Sequence, residues 1–306
     1  MLRLSTARHL RPHILCSRPS SYSRLFSWTT IARNQTDQIP RKPKFDELSS
    51  YTETEESRPT WELGDGAVRF SSDVGVDGEK TVWDMAEVPT RETYQFLTSG
   101  IVPRPIALVS SLSADGVPNL APFRYFALKV LKVAHNPPII SLSFSIPSKR
   151  PKDTRENILA TKEFTVNIVT ESLVQAINAT SAEAPAHVDE WVLSGLSQGP
   201  SKSVRPPVVL ESPVNLECEL YSSQDIHHPK TGELTTTLVL GRIKQLHVRN
   251  SVLSEDGHSI DPAKLRPISR LGGTKYGRLL EGFSLPRVSW KASKEAYEAL
   301  LGKKQG

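Results

Sequence analysis

Between Ile106 and Val248 the chain repeats one pattern: a run of apolar and β-branched residues, then Gly, Asp or Pro. Such runs cannot sit as helices and need partners for their backbone groups, so they commit most of this region to sheet. The pattern predicts strands at 106–112, 120–127, 139–146, 164–169, 214–222 and 234–248. Helical periodicity predicts helices at 153–160, 171–179 and 289–301. Strands separated by tight turns, with few strand-helix-strand alternations, favour a mainly β, antiparallel barrel of Greek-key type with peripheral helices. Two polar turns are explicit, "ADG" at 114–116 and "HHPKTG" at 227–232.

Charge is unevenly placed. Residues 1–36 hold six arginines and no Lys, Asp or Glu, so of the net charge of +5 the remainder carries about 5 − 6 = −1. A near-neutral body does not support a nucleic-acid footprint, and no run reaches the ~18 apolar residues of a membrane span. The Arg- and Ser-rich leader, acid-free with Leu2, Leu4, Leu10, Ile14 and Leu15 between its charges, has the composition of a mitochondrial transit peptide, with a cut expected near Phe26 or Ser27 in "SRLFSW". The expected location is therefore the mitochondrial matrix, with the cytoplasm as alternative. Residues 37–88 are polar and Pro-punctuated, a linker or arm; 89–290 form the domain, and 291–306 a C-terminal helix or tail.

The common catalytic constellations are missing. There is no G-x-G-x-x-G after a strand, no GxxxxGK[ST], no H-E-x-x-H and no G-x-S-x-G. Adjacent His227 and His228 point apart on an extended chain and read as part of a turn, and no metal site is expected. Outside the leader's Cys16 the chain has Cys218 alone, on one face of "VNLECELY" with Leu216 and Leu220; it reads as a buried structural thiol. In "SKRPKDTRENIL" (148–159), Asp153 followed by Glu156 gives a capping-box-like helix start. It gathers Lys149, Arg150, Lys152 and Thr154 near free N–H groups, which suits a phosphate, although the two carboxylates oppose one.

Taken in order, "GIVPRPIALVSS", "DGVPNLAPFRYF", "NPPIISLSF", "KDTRENILATKEFTVNIV", "INATSAEAP", "ESPVNLECEL", "GRIKQLHV" and "RLGGTKYGRL" resemble the flavin reductase-like family over about residues 94–288. The resemblance implies a split β-barrel carrying FMN, a homodimer with the flavin near its interface, and NAD(P)H as transient hydride donor. No side chain need then be catalytic, because the flavin supplies the reactive atom. It further implies that Asn119, Leu120, Ala121, Pro122 and Phe123 lie along the isoalloxazine. Ser141 and Ser143 would offer hydroxyls, and Lys152, Thr154 and Asn157 would take the phosphate. Arg270, Gly272, Gly273 and Tyr276 would form a further wall, or else a plain turn with a structural arginine. Flavin and nicotinamide nucleotides are thus the implied partners. A non-catalytic FMN carrier and a cofactor-less interaction protein are the alternatives on the same fold. Arg124, where the family has a small polar residue, and the extra segment 127–132 depart from the pattern.

Overall fold

The computed structural model describes residue 45 and residues 50–67, 80–123, 131–146, 152–182 and 188–305. The leader, Arg124, Lys149 and Arg150 lie outside the described residues, as does most of the extra segment.

In chain order the elements are β1 (Thr52–Thr54), α1 (Thr90–Gly100), β2 (Arg104–Pro105), β3 (Ala107–Leu112), β4 (Pro118–Phe123), β5 (Leu131–His135) and β6 (Pro138–Ser145). There follow α2 (Asp153–Thr161), β7 (Glu163–Ile168), α3 (Val174–Ala179), α4 (Glu190–Ser194), β8 (Gln198–Gly199) and β9 (Val208–Val209). Last come β10 (Val214–His227), β11 (Leu234–Val248), α5 (Pro262–Leu265), β12 (Ile268–Arg270), β13 (Tyr276–Arg278), β14 (Glu281–Phe283) and α6 (Trp290–Gln305). Each of the six expected strands is present. Among the described residues seven strands join in the order β4-β3-β7-β10-β11-β6-β5, and every pairing is antiparallel.

The continuous run "IALV" is explained by burial on both faces of β3. Ala107 and Val109 enter the main core with Phe123, Leu142, Phe144 and Phe164. Ile106 and Leu108 face a second core with Leu120, Leu173, Ile177 and Trp191. Cys218 lies in the first core, and burial above all pushes its thiol pKa far up, as suits a structural residue. The "ADG" turn closes through Gly116 N–H to Ser113 O (3.0 Å), with Gly116 at φ +84°. In "HHPKTG", His228 Nδ1 accepts from the N–H groups of Lys230 and Thr231 at 3.3 and 3.1 Å, so its ring stabilises the turn itself.

Two expectations need correcting, the cap of α2 and the length of β10. Asp153 does not cap α2: the helix begins at Asp153, and Lys152 holds the N-cap position in extended conformation, with no side-chain cap bond. Leu131 and Lys132, at the end of the extra segment, open β5 and pair with Ser141 and Ile140, which leaves that reading uncontradicted. The run expected at 214–222 continues to His227, because the ladder with β11 persists after apolar alternation has stopped.

Core packing yields one sharp expectation. A Cβ at Gly241 would stand 2.3 Å from Cζ of Phe164, a fully buried ring. Gly241→Ala should therefore cost about 1–3 kcal/mol in overpacking, measured by urea unfolding. A change below about 0.5 kcal/mol would show that the ring can yield.

Candidate functional site

The site is built on β4, an edge strand of the seven-stranded sheet. Its side chains alternate. Ala121 and Phe123 point to the main core, and Asn119 shares their parity; Leu120 points to the second core. Backbone direction alternates with the same period. Pro118 and Pro122 have no N–H for a bond to β3, which places positions 118, 120 and 122 outward, with the Leu120 N–H on the side of the Glu190 carboxylate. Two of those three are proline and have no N–H to offer. The outward edge of β4 thus presents a single backbone donor, that of Leu120, and the proline at each side keeps another strand from adding there.

Side chains extend this edge in both directions. Asn119 Oδ1 accepts from Thr154 Oγ1 at 2.8 Å and from Ser111 Oγ at 3.4 Å, which leaves its Nδ2 as donor, and Glu190 Oε2 takes that bond at 3.2 Å. Ser111 also accepts from Asn157 Nδ2 at 3.1 Å. Asn119 therefore bridges the first turn of α2 to α4. At the other end of the strand Lys152 Nζ lies 5.6 Å from the centre of the Phe123 ring, and Phe123 meets Phe144 edge-on with centroids 4.8 Å apart. Burial lowers the pKa of Lys152, as expected for an ammonium partly withdrawn from water onto an aromatic face.

Local sequence explains why α4 can aim Glu190. Asp189 caps the helix by accepting from Trp191 N–H at 2.8 Å, Gly195 ends it in the left-handed region, and the buried Trp191 anchors it in the second core. Glu190 and Ser111 were not among the residues singled out by sequence. Glu190 contacts Asn119 across 71 residues, and "HVDEW" shows only the cap of a short helix.

The structure brings together Asn119, Phe123, Lys152, Thr154 and Asn157. Thr154 and Asn157 are buried, with side chains directed to Asn119 and Ser111. Leu120 lends its backbone while its side chain is core. Ser141 and Ser143 lie on β6 with parity opposite to Leu142 and Phe144, so they face away from the main core, beside Leu240 and Leu238 of β11. Arg270, Gly272, Gly273 and Tyr276 form a second group. Arg270 is buried, its guanidinium 4.4 Å from the Tyr276 ring and bonded to Gly273 O. The glycine requirement falls at Gly273, with φ +56°; a Cβ at Gly272 would make ordinary contact with the Ser99 backbone of α1 at 3.5 Å.

An edge strand with one aimed donor, an amide and a desolvated cation beside it suits a flat polar heterocycle bearing an anionic tail. Residues 99–262 match the flavin reductase like domain family. The chain belongs to this family. It is 35% identical over 206 residues to an uncharacterized protein of Halalkalibacterium halodurans, covering 67% of this chain and 95% of that protein. The crystal structure of nitrilotriacetate monooxygenase component B from Bacillus cereus is 34% identical with a TM-score of 0.62, covering 68% of this chain and 99% of its own. A split barrel domain from Shewanella frigidimarina, 24% identical with a TM-score of 0.54, covers 67% of this chain and 94% of its own and shows the fold. The flavin reductase-like resemblance and the mainly β split barrel expected from sequence are thus both established.

Proposed function

We propose that this protein is an FMN-binding oxidoreductase of flavin reductase type that takes hydride from NAD(P)H. The observation that carries the reading is the Asn119 to Thr154 bond. It fixes the edge of β4 against the N-terminus of α2, so that ring-binding and phosphate-binding residues occupy one side of one strand. In this reading the Leu120 N–H and Asn119 Nδ2 meet the polar edge of the ring. Lys152, Thr154 and Asn157, at the start of α2, hold the phosphate. Ser141 and Ser143 are assigned to the ribityl chain, and the Arg270 turn to a supporting wall. When bound, FMN would supply the hydride-accepting N5 and release the electrons to an acceptor. The protein's own tasks are to orient the ring, exclude water and leave one face open for the nicotinamide.

A homodimer belongs to the same reading. Val117, next to β4, and Val192, on α4, are 61% and 78% exposed, which leaves apolar surface on both flanks of Asn119 for a second copy to cover. The basic leader is assigned to mitochondrial import, testable by uptake and cleavage of the full chain in isolated mitochondria; full-length protein recovered outside the organelle would refute it.

The function is tested by the visible spectrum of protein purified from Ser27 onward, desalted with and without FMN and then mixed with NADPH or NADH. A flavin band that bleaches with the nucleotide is the expected result. A retained band that neither nucleotide bleaches would make the protein a carrier, and no band with FMN supplied would overturn flavin binding altogether.

A further inference from the structure

We propose that Arg155 is a positioning residue for the phosphate end of the site, holding the first turn of α2 in place through Thr237 and Asp225 of the β10–β11 hairpin. This rests on the function proposed above and adds to it a residue that touches no ligand. Helix α2 begins without the device that usually orders a first turn: Lys152, at the N-cap position, makes no side-chain cap bond. Two consecutive side chains hold the turn instead. Thr154 Oγ1 donates to Asn119 Oδ1 of β4 at 2.8 Å, and Arg155 Nε donates to Thr237 Oγ1 of β11 at 2.8 Å. Neighbouring helical positions leave the axis about 100° apart, so the two bonds reach different elements and together stop the helix from turning about its axis. Either bond alone would leave a pivot.

The far end of the tie is itself held. Thr237 is fully buried, and its hydroxyl, which accepts from Arg155, donates to Asp225 Oδ1 of β10 at 2.6 Å. Arg155 NH2 approaches the same oxygen at 3.4 Å. The bond from Thr237 foremost, and then that from Arg155, hold the Asp225 carboxyl below its ordinary range. Asp225 and Glu156 are 46% and 50% exposed, which makes them weak ion-pair partners. The Arg155 side chain is only 12% exposed, so its Nε would lose its acceptor in a nearly closed position if the Thr237 hydroxyl were removed. The buried hydroxyl, not the surface charge, therefore carries the tie. With a carboxylate on each side, the guanidinium is committed to the hairpin and to its own helix. The Arg155 N–H also bonds Lys152 O at 2.9 Å, so a shift of Arg155 moves the residue that carries the ammonium over Phe123.

The experiment titrates apoprotein with FMN and with riboflavin, reading quenching of flavin fluorescence. It compares the ratio of the two affinities, which a uniform loss of folded protein does not change. Thr237→Val removes the hydroxyl and should lower the preference for FMN about 3–10-fold, with riboflavin affinity within about twofold of wild type. Thr237→Ser keeps the hydroxyl and should keep the wild-type ratio; a serine variant as weak as the valine one would overturn the role of the bond. Asp225→Ala should weaken FMN as well, although it takes a negative charge away from the neighbourhood of a dianion. Unchanged or tighter FMN binding by Asp225→Ala would overturn the positioning role, as would a wild-type ratio in Thr237→Val. Adding Asp225→Ala to Thr237→Val should cost nothing further, because both act through one tie, and additive losses would refute that. A wild type that binds neither flavin would instead overturn the function on which the inference rests, and one that binds both equally would overturn the placing of the phosphate at α2. Should Thr237→Val fail to fold by circular dichroism, Asp225→Ala, at an exposed position, still decides by the direction of its change.

Discussion

Glu217→Gln should lower stability by about 3 kcal/mol, or roughly 6–12 °C in Tm. Glu217 is fully buried on β10, yet its carboxylate accepts from the N–H groups of Lys202 (2.8 Å), Ser203 (2.6 Å) and Val204 (3.2 Å), and His247 Nε2 of β11 lies 2.5 Å away. Burial alone pushes its pKa up. The bonds from Lys202, Ser203 and His247 together outweigh that and hold the carboxyl below its ordinary range. A glutamine amide would turn an N–H toward groups that are themselves donors and leave buried N–H groups unpaired. A carboxyl whose folded pKa is depressed adds stability that is present above the unfolded value and is lost as pH falls through the folded one. The gap between wild type and Glu217→Gln should accordingly be widest near pH 7 and shrink below about pH 4, measured by urea unfolding at each pH. A gap that stays constant down to pH 3 would mean that the ionised carboxylate is not what holds the 202–204 loop.

The sheet was legible because its signal is local. Apolar runs bounded by Gly, Asp and Pro mark a buried strand wherever they occur, and β3, β6, β7 and β11 fall where the residues place them. Where the signal fails, the cause is tertiary. The outer half of β10, "SSQDIH", is exposed on both faces and keeps strand geometry only because β11 pairs with it, so no alternation could announce it. Helix α1, "TRETYQFLTSG", starts after Pro89 without a side-chain cap to mark it in the sequence, and among its residues only Thr98 is buried. Around the candidate site, Asn119 and Thr154 were named through resemblance, but their bond to each other spans 35 residues and no motif encodes it. Glu190 is harder still, because its 3.2 Å bond from Asn119 Nδ2 spans 71 residues and no motif encodes it.

The same geometry makes Lys152→Ala the more telling functional variant. Lys152 precedes α2, and its carbonyl accepts the N–H groups of Arg155 and Glu156, so the N–H groups of Asp153 and Thr154 in the first turn point out beyond the helix end. Its ammonium, held over Phe123 and partly desolvated, is a charge placed where a dianion would otherwise meet the carboxylates of Asp153 and Glu156. A phosphate bound there gains a charge-assisted bond of about 1.5–3 kcal/mol, so the alanine variant should weaken FMN by about 10–100-fold. Riboflavin, which has no phosphate, should change less than about threefold. Because burial lowers the Lys152 pKa and a bound dianion raises it, FMN binding takes up a proton once pH passes the lowered value. FMN affinity should then fall with rising alkaline pH in wild type, with riboflavin affinity flat over the same range. Equal losses for FMN and riboflavin in Lys152→Ala would move the phosphate away from α2 and leave Lys152 as packing against Phe123. Selective loss of FMN would place the tail at the helix and, through the Asn119 to Thr154 bond, fix the direction in which the ring crosses β4.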